Sequence, residues 1–286
     1  MNGGQVPVVK RFFCGMACVR HRRMMLSLLL LAAAADPAAL SPASKWQVEY
    51  ADNMCVLSRD YGAGADKVTL ALRPWPMSNE TEVVVLTQGN APLVDNGRAE
   101  ITLLPAGHTT KGTFARFDMP KGAPGRIATL HFDEGALDGL AASTAVTVRL
   151  GNREVHSGAV PGIAGAMRAL ETCQKDLLKG WGVDPDERAS LSRLPRGNPA
   201  RFFGPSVYPE EAVRNHLQGR VVTIASIGKD GHVTGCAIAA TSGALVLDQA
   251  TCNVLKNSAR FAPALDMAGK PVVSHLVVPV RWVLPG

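Results

Sequence analysis

Hydrophobic and polar positions alternate along most of the stretch from residue 46 to residue 150. Val68, Leu70 and Leu72 alternate with Thr69 and Ala71, and residues 146–150 repeat this alternation. A period of two is typical of β-strands that bury one face. Further strands are predicted at residues 82–87, 99–104, 113–118 and 126–132, with glycine-containing turns between several of them. The pattern therefore predicts a β-rich antiparallel domain, and it leaves a sandwich and a barrel both open.

The hydrophobic period changes to that of a helix between residues 163 and 179. Ala166, Leu170 and Cys173 fall on one stripe of this helix with other apolar residues. Residues 180–205 contain four prolines and many charged side chains, which predicts a solvated linker and a domain boundary. The predicted segments are a leader (1–43), a β-rich domain ending in a helix (44–179), the linker (180–205) and a second domain (206–286).

The second domain opens with the signals of a helix followed by a hairpin. The sequence Tyr208-Pro209-Glu210-Glu211-Ala212 places proline and carboxylates where a helix begins, with Val213 and Leu217 on the predicted buried face. Strands are then predicted at residues 220–227 and 232–241, because a Lys-Asp-Gly turn separates two apolar runs.

A second helix and a final strand complete this domain. Asp248 is expected to cap the second helix, and the final strand is predicted at residues 275–284. Pro279 lies within that strand and has no amide hydrogen to donate, so we expect this position at a sheet edge or a bulge. The whole chain is therefore assigned to the α+β class.

The second domain contains a set of residues, many of them glycines, prolines or apolar residues, that follow one another in a distinctive order. They are Tyr208, Pro209, Ala212, Gly219, Val221, Gly231, Val233, Ser242-Gly243, Leu247-Asp248, Ala250, Ala259-Arg260-Phe261, Pro263, Gly269, Pro271-Val272 and Val278-Pro279-Val280. Their order over residues 204–284 resembles the C-terminal domain of TonB-type energy transducers. The resemblance implies a short antiparallel sheet that packs against two helices. It also implies that the domain binds the TonB box of outer-membrane receptors, or another envelope protein, by strand addition.

Strand addition requires unpaired main-chain donors and acceptors along an edge strand, together with a few side chains that contact the peptide. The final strand is the candidate edge. The residues predicted to contact the partner share one side of this strand: His275, Val277, Pro279 and Arg281. Leu276, Val278 and Val280 lie on the other side by alternation, and they are expected to be core residues.

The N-terminal part departs from the pattern of an energy transducer, which has a membrane span and a long proline-rich spacer. The apolar run at residues 24–35 has 12 residues, whereas a membrane-spanning helix needs about 20. Arg20, Arg22 and Arg23 precede this run and small residues end it, which predicts a secretory signal peptide. We therefore expect export to the periplasm of a Gram-negative bacterium, with anchoring in the inner membrane as the alternative.

The net charge of +6 does not indicate a nucleic-acid-binding protein. Five of the basic residues and no acidic ones precede Asp36, so removal of residues 1–35 would leave +1. Binding to nucleic acids depends on many cations that neutralise phosphates, so the charge argues against this class of partner.

Cysteine usage agrees with export. Four of the six cysteines follow the leader, and an even number is typical of disulfide-bonded exported proteins. The count alone leaves three pairings open. The predicted placement of Cys173 on the buried helix stripe favours a Cys55–Cys173 bond, and the hairpin and second helix favour Cys236–Cys252.

No spacing typical of a catalytic site, a cofactor loop or a metal site is found after the leader. His131, Asp133 and Glu134 cluster at a strand end, but alternation places His131 and Asp133 on a polar face, which indicates a solvated surface. We expect no enzyme activity and no cofactor, and a homodimer stays open. The alternative is a periplasmic enzyme or ligand-binding protein with its site in residues 45–178 and the second domain as a docking module.

Overall fold

The computed structural model describes residues 39–51, 53–88, 95–119 and 125–284. We call residues 39–180 the first half of the chain and the residues after them the second half. Nine strands of the first half form one antiparallel sheet. The strands are β1 (Gln47–Ala51), β2 (Met54–Tyr61), β3 (Val68–Pro74), β4 (Glu80–Thr87), β5 (Asn96–Leu104), β6 (His108–Asp118), β7 (Arg126–Asp133), β8 (Ala145–Leu150) and β9 (Arg153–Ala159). Their order is β1-β2-β3-β4-β7-β6-β5-β8-β9. The predicted signal peptide lies outside the described residues.

The nine-stranded sheet curves into a half-barrel with an apolar interior. Buried and half-buried positions alternate along β2 and β8, as the period of two predicts. Helix α1 (Ile163–Gly180) packs Leu170 and Cys173 into this core, and its bounds agree with the predicted helix. A disulfide joins Cys55 of β2 to Cys173 of α1. The expectation that this part of the chain is β-rich is confirmed, and α1 follows the sheet where the helical period predicts a helix.

Tyr61 and His156 form an aromatic contact inside the half-barrel. Their rings meet edge to face with centroids 4.4 Å apart, and both residues are almost fully buried. Neither ring nitrogen of His156 has a hydrogen-bond partner within the described residues. Burial lowers the pKa of His156 to about 4 and raises the pKa of Tyr61 to about 12. His156 is therefore neutral in the folded protein at physiological pH.

We expect His156 to make the protein less stable as the pH falls from 6.5 to 4. In this window the unfolded chain binds a proton at His156 that the folded chain does not bind, so acidification favours unfolding. The free energy of unfolding should fall by about 3 kcal/mol from this group alone. Urea denaturation between pH 7 and pH 4 measures the slope of the free energy of unfolding against pH. The His156→Gln variant should reduce this slope, whereas His108→Gln, at an exposed position, should leave it unchanged. Equal slopes in the wild type and His156→Gln would contradict the assignment.

The second half of the chain forms a small α+β unit. Its elements are β10 (Leu191–Arg193), α2 (Glu210–Arg214), β11 (Gly219–Ile227), β12 (Val233–Ala240), α3 (Leu245–Ser258), β13 (Ala264–Asp266), β14 (Pro271–Val272) and β15 (Ser274–Trp282). One sheet has the order β12-β11-β15, and the other has the order β10-β13-β14. Helix α3 packs on the first of these sheets, and a disulfide joins Cys236 of β12 to Cys252 of α3. Both disulfide pairings favoured by the sequence are present.

Two sequence-based details of this unit are wrong. Val213 is 40% exposed, because α2 has only five residues and Ala212 fills the buried position instead. Asp248 does not occupy the cap position, since α3 begins at Leu245. Its buried carboxylate accepts hydrogen bonds from the amide and the hydroxyl of Ser242, at 2.9 and 2.8 Å. It therefore holds the loop before the helix rather than the helix end.

The predicted linker is packed at its apolar residues, whereas most of its charged residues are exposed. Val183, Leu191 and Leu194 of this segment are buried, and β10 pairs with β13 of the second half. The prolines and charges of residues 180–205 predicted exposure, but the apolar residues between them bury against both halves. All described residues accordingly fall within one compact unit that spans Pro37–Gly286. No helix of the described residues is long and apolar enough to span a bilayer.

Candidate partner-binding edge

β15 is an outermost strand of its sheet. It pairs with β11 along its whole length, from Ser274 opposite Ile227 to Trp282 opposite Gly219. Main-chain groups alternate in direction along a strand, and Pro279, which has no amide hydrogen, takes one of the outward positions. Positions 275, 277 and 281 share this outward direction. The prediction that the final strand lies at a sheet edge is confirmed.

One row of β15 side chains belongs to the core of the second half. Leu276, Val278 and Val280 are buried in the cluster beneath α3. The indole nitrogen of Trp282 donates a hydrogen bond to the hydroxyl of Thr251 in α3, at 2.9 Å. These contacts confirm the expectation that the even-numbered positions of the strand are structural.

The other row contains the four residues predicted to contact a partner, and it faces the rest of the chain. The amide of His275 donates to one carboxylate oxygen of Glu187 at 2.7 Å, and its ring nitrogen Nδ1 shares a hydrogen bond with the other oxygen at 2.6 Å. Val277 is 2% exposed, and its amide donates to the carbonyl oxygen of Met77 at 2.8 Å. Two of the three outward amides are therefore engaged within the molecule.

Pro279 and Arg281 occupy the more open end of this row. Both line a cavity of about 200 Å³ between β15 and the first sheet. The guanidinium carbon of Arg281 lies 4.4 Å from the ring centroid of Phe117 in β6, a cation–π contact. The outward amide of Arg281 has no hydrogen-bond partner among the described residues. The role of these four residues in partner binding stays a prediction. The structure shows that their row faces the first half of the chain.

Residues 75–79, which connect β3 to β4, lie against the outer edge of β15, and we call them the cover loop. Trp75 and Met77 are 5% and 4% exposed and pack in one apolar cluster with Leu178, Ile224 and Val277. Met77 adopts a φ of 53°, a left-handed conformation that is unfavourable for a residue with a side chain. The cover loop thus combines an apolar anchor with local backbone strain.

A buried charge cluster supports the cover loop at one side. The carboxylate of Glu82 accepts hydrogen bonds from Arg73, from the indole of Trp75 at 3.3 Å and from Arg220 of β11 at 3.1 Å. Burial alone would raise the pKa of Glu82, but the two guanidinium groups outweigh this effect and lower the pKa below its ordinary value. Arg220 also stacks on Trp75, with its guanidinium carbon 4.8 Å from the ring centroid. Glu82 is therefore an ionic link between the two halves.

The opposite edge of the same sheet is more exposed. On β12, Ile238 lies opposite Thr223 and is 40% exposed. The main-chain amide and carbonyl groups of Thr223 point toward β15. Ile238 lies opposite Thr223 on the other side of β11, so its own amide points away from β11. The sheet therefore has a second edge that no cover loop protects in the described part of the chain.

Sequence reasoning missed the groups that cover β15. Trp75 and Met77 lie between two predicted strands, Glu82 in a predicted strand and Glu187 in the predicted linker. No local period marks these residues as neighbours of the last strand. One available signal was the pair of large apolar residues in the Trp-Pro-Met turn after β3, which is unusual for an exposed connection.

The cluster His131, Asp133 and Glu134 lies on the surface, with all three residues exposed. Glu134 pairs with Arg188 at 2.9 Å and does not face the other two as a third ligand. Among the described residues, no three His, Cys, Asp or Glu side chains converge in a way that would hold a metal ion.

Comparison with known families identifies the second half of the chain. Residues 205–284 match the family described as the Gram-negative bacterial TonB protein C-terminal region. Neither the curated proteins nor the solved structures contain a significant match to the chain. The match covers the small α+β unit from α2 to β15 but not β10, and the first sheet has no counterpart in it.

Proposed function

Because residues 205–284 are a TonB C-terminal domain, we propose that the protein is a periplasmic TonB-like protein that binds an extended segment of an outer-membrane receptor or another envelope protein. The binding takes part in energy-dependent transport across the outer membrane. The partner segment adds a strand to the outer edge of β15. The observation that carries this proposal is the hydrogen bond from Val277 to Met77, since it places a main-chain acceptor from outside the sheet on that edge.

The family to which this domain belongs supports a binding role in the envelope. It is a non-enzymatic interaction domain that is associated with the envelope of Gram-negative bacteria and contacts outer-membrane receptors. Strand addition requires no catalytic side chain, because main-chain hydrogen bonds provide affinity and alternate side chains provide specificity. We therefore assign no chemical step to the domain.

A partner strand must displace the cover loop, because both occupy the same edge. The loop contributes only one main-chain hydrogen bond to β15, whereas an added strand forms a bond at every outward position that has a donor or an acceptor. Release of the strained backbone at Met77 favours displacement by roughly 1–3 kcal/mol. Burial of Trp75 and Met77 opposes it. The covered conformation is then a resting state, and the partner selects the uncovered one.

Weakening the cover loop should tighten peptide binding. Met77→Ala removes a buried side chain that anchors the loop, and a loss of 1.4 kcal/mol from the covered state alone raises the apparent affinity about tenfold. We expect synthetic TonB-box peptides to bind the oxidised full-length variant at least ten times more tightly than the wild type. Fluorescence anisotropy of labelled peptides measures both affinities.

Two proline variants distinguish the two edges of the sheet. Val277→Pro removes an outward amide of β15 and should abolish binding, whereas Ile238→Pro makes the matched change on β12 and should leave binding intact. Hydrogen exchange on the Met77→Ala variant tests binding at β15 without a substitution in that strand. Bound peptide should slow the exchange of the amide hydrogens of Val277 and Arg281. Binding that survives Val277→Pro but not Ile238→Pro would move the proposal to β12. Absence of binding to Met77→Ala at high micromolar concentration would contradict the receptor-linked function.

A further inference from the structure

Arg59 of β2 is a buried cation without an anionic partner. Only 9% of its surface is exposed, and no carboxylate pairs with it in the described part of the chain. Its Nη1 donates to the carbonyl oxygen of Pro161 at 2.8 Å, while its Nε is buried and has no partner. Buried arginines are almost always paired with an anion, because an uncompensated charge is costly to remove from water. Cation–π contacts to Trp46 and Tyr61 offset only part of this cost.

The N-terminus of α1 adds a second positive feature beside Arg59. The cap residue is Gly162, no side chain caps the helix, and the first turn contains no acidic residue. The amide of Ile163 bonds back to Val160, but the amides of Ala164 and Gly165 have no acceptor among the described residues. These free donors and the helix dipole favour an anion at this helix end.

A cavity of about 520 Å³ lies between these two features. Two cationic side chains, Lys45 and Arg59, line this cavity. The rest of its surface is largely apolar and includes Trp46, Val48, Ala166 and Ala169. None of the described residues that line it is a carboxylate. Gly162 and Gly165 leave the first turn of α1 open, because a side chain atom added at Gly162 would meet nothing within 4 Å.

We propose that this cavity binds a small organic carboxylate with an apolar body. The carboxylate pairs with Arg59 and the free amides of the first turn of α1, and Lys45 lies at the rim. A carboxylate forms a strong charge-assisted pair with a guanidinium, and the apolar surface formed by Trp46 and Val48 holds a short hydrocarbon group. The bound carboxylate supplies the anion that Arg59 lacks. The inference is independent of strand addition, since the cavity lies in the half-barrel and shares no residue with β15.

Octanoate is a suitable probe, with acetate, inorganic phosphate and methyl octanoate as comparisons. We expect octanoate to bind the full-length oxidised protein at least tenfold more tightly than acetate or phosphate, and the uncharged ester to show no saturable binding. Tryptophan fluorescence follows Trp46, and amide NMR shifts at Ala164 and Gly165 locate the ligand. A short peptide with a free or an amidated C-terminus shows whether a peptide carboxylate is also accepted.

Arg59→Gln removes the central charge and should weaken octanoate binding at least tenfold, while Arg59→Lys should retain part of the affinity. Arg153→Gln changes an exposed arginine of β9 and should leave the affinity unchanged. If Arg59→Gln does not fold, the wild-type NMR shifts decide. Shifts confined to Ala164, Gly165 and Trp46 support the site, whereas their absence at 10 mM octanoate, or equal affinity of a folded Arg59→Gln variant, overturns it.

Discussion

Removal of the Cys55–Cys173 disulfide should lower the free energy of unfolding by about 5 kcal/mol. The bond joins residues 118 positions apart, so it restricts the unfolded chain far more than a short loop would. It also fixes α1 to β2 across the core of the half-barrel. The Cys55→Ala, Cys173→Ala double variant and the oxidised wild type are compared by urea denaturation at pH 7.

The second disulfide provides the matched control. Cys236 and Cys252 are 16 positions apart, and the same relation gives about 3 kcal/mol for their bond. The corresponding double alanine variant should therefore be less destabilised than the first. Equal losses for the two pairs, or a larger loss for Cys236–Cys252, would mean that native-state packing and not loop length determines their contributions.

Glu82→Gln should cost about 3 to 5 kcal/mol, because it leaves two guanidinium groups facing each other in a buried site. Glu82 has 4% of its side chain exposed and is the shared partner of Arg73 and Arg220. Removing one member of a buried ion pair is far more costly than removing an exposed one. Urea denaturation gives the loss, and limited proteolysis between the two halves shows whether the junction opens first.

The pH dependence of this variant tests the same assignment. The pKa of Glu82 is lowered in the folded protein, so its contribution is fully present above its ordinary value of 4.5 and is lost as the pH falls through the lowered value. The difference between wild type and Glu82→Gln should therefore shrink in acid. Glu210→Gln, in a pair whose carboxylate side chain is 93% exposed, should change stability by less than about 0.5 kcal/mol. A constant difference at all pH values would show that the charge is not responsible.

The junction around Glu82 also bears on the proposed function. Arg220 of β11, Trp75 of the cover loop and Glu82 of β4 meet within one cluster, so displacement of the cover loop requires that their contacts loosen. Glu82→Gln should consequently favour the uncovered edge as well as lower stability. If a partner peptide binds this variant no more tightly than it binds the wild type, the ionic link at Glu82 does not control displacement of the cover loop.

Six strands of the first sheet, helix α1 and the edge position of β15 were predicted from the sequence itself. Period-two alternation within β8 shows which residues face the core, and Pro279 favours a sheet edge or a bulge, because these constraints act between near neighbours. The TonB-like order of residues depends on the same local signals. The placement of the cysteines on predicted elements favoured both disulfides among the three possible pairings.

Only the tertiary structure decided how β15 is covered and which charges lack a partner. Arg220 and Glu82 are separated by 138 positions, and His275 and Glu187 by 88, so no periodic pattern links them. The packing of Val183, Leu191 and Leu194 likewise depends on a surface that the first sheet provides, and the isolation of Arg59 depends on which side chains fold around it. Local sequence specifies each element and its apolar face, but the contacts between distant elements, which form the candidate edge and cavity, arise only when those faces meet.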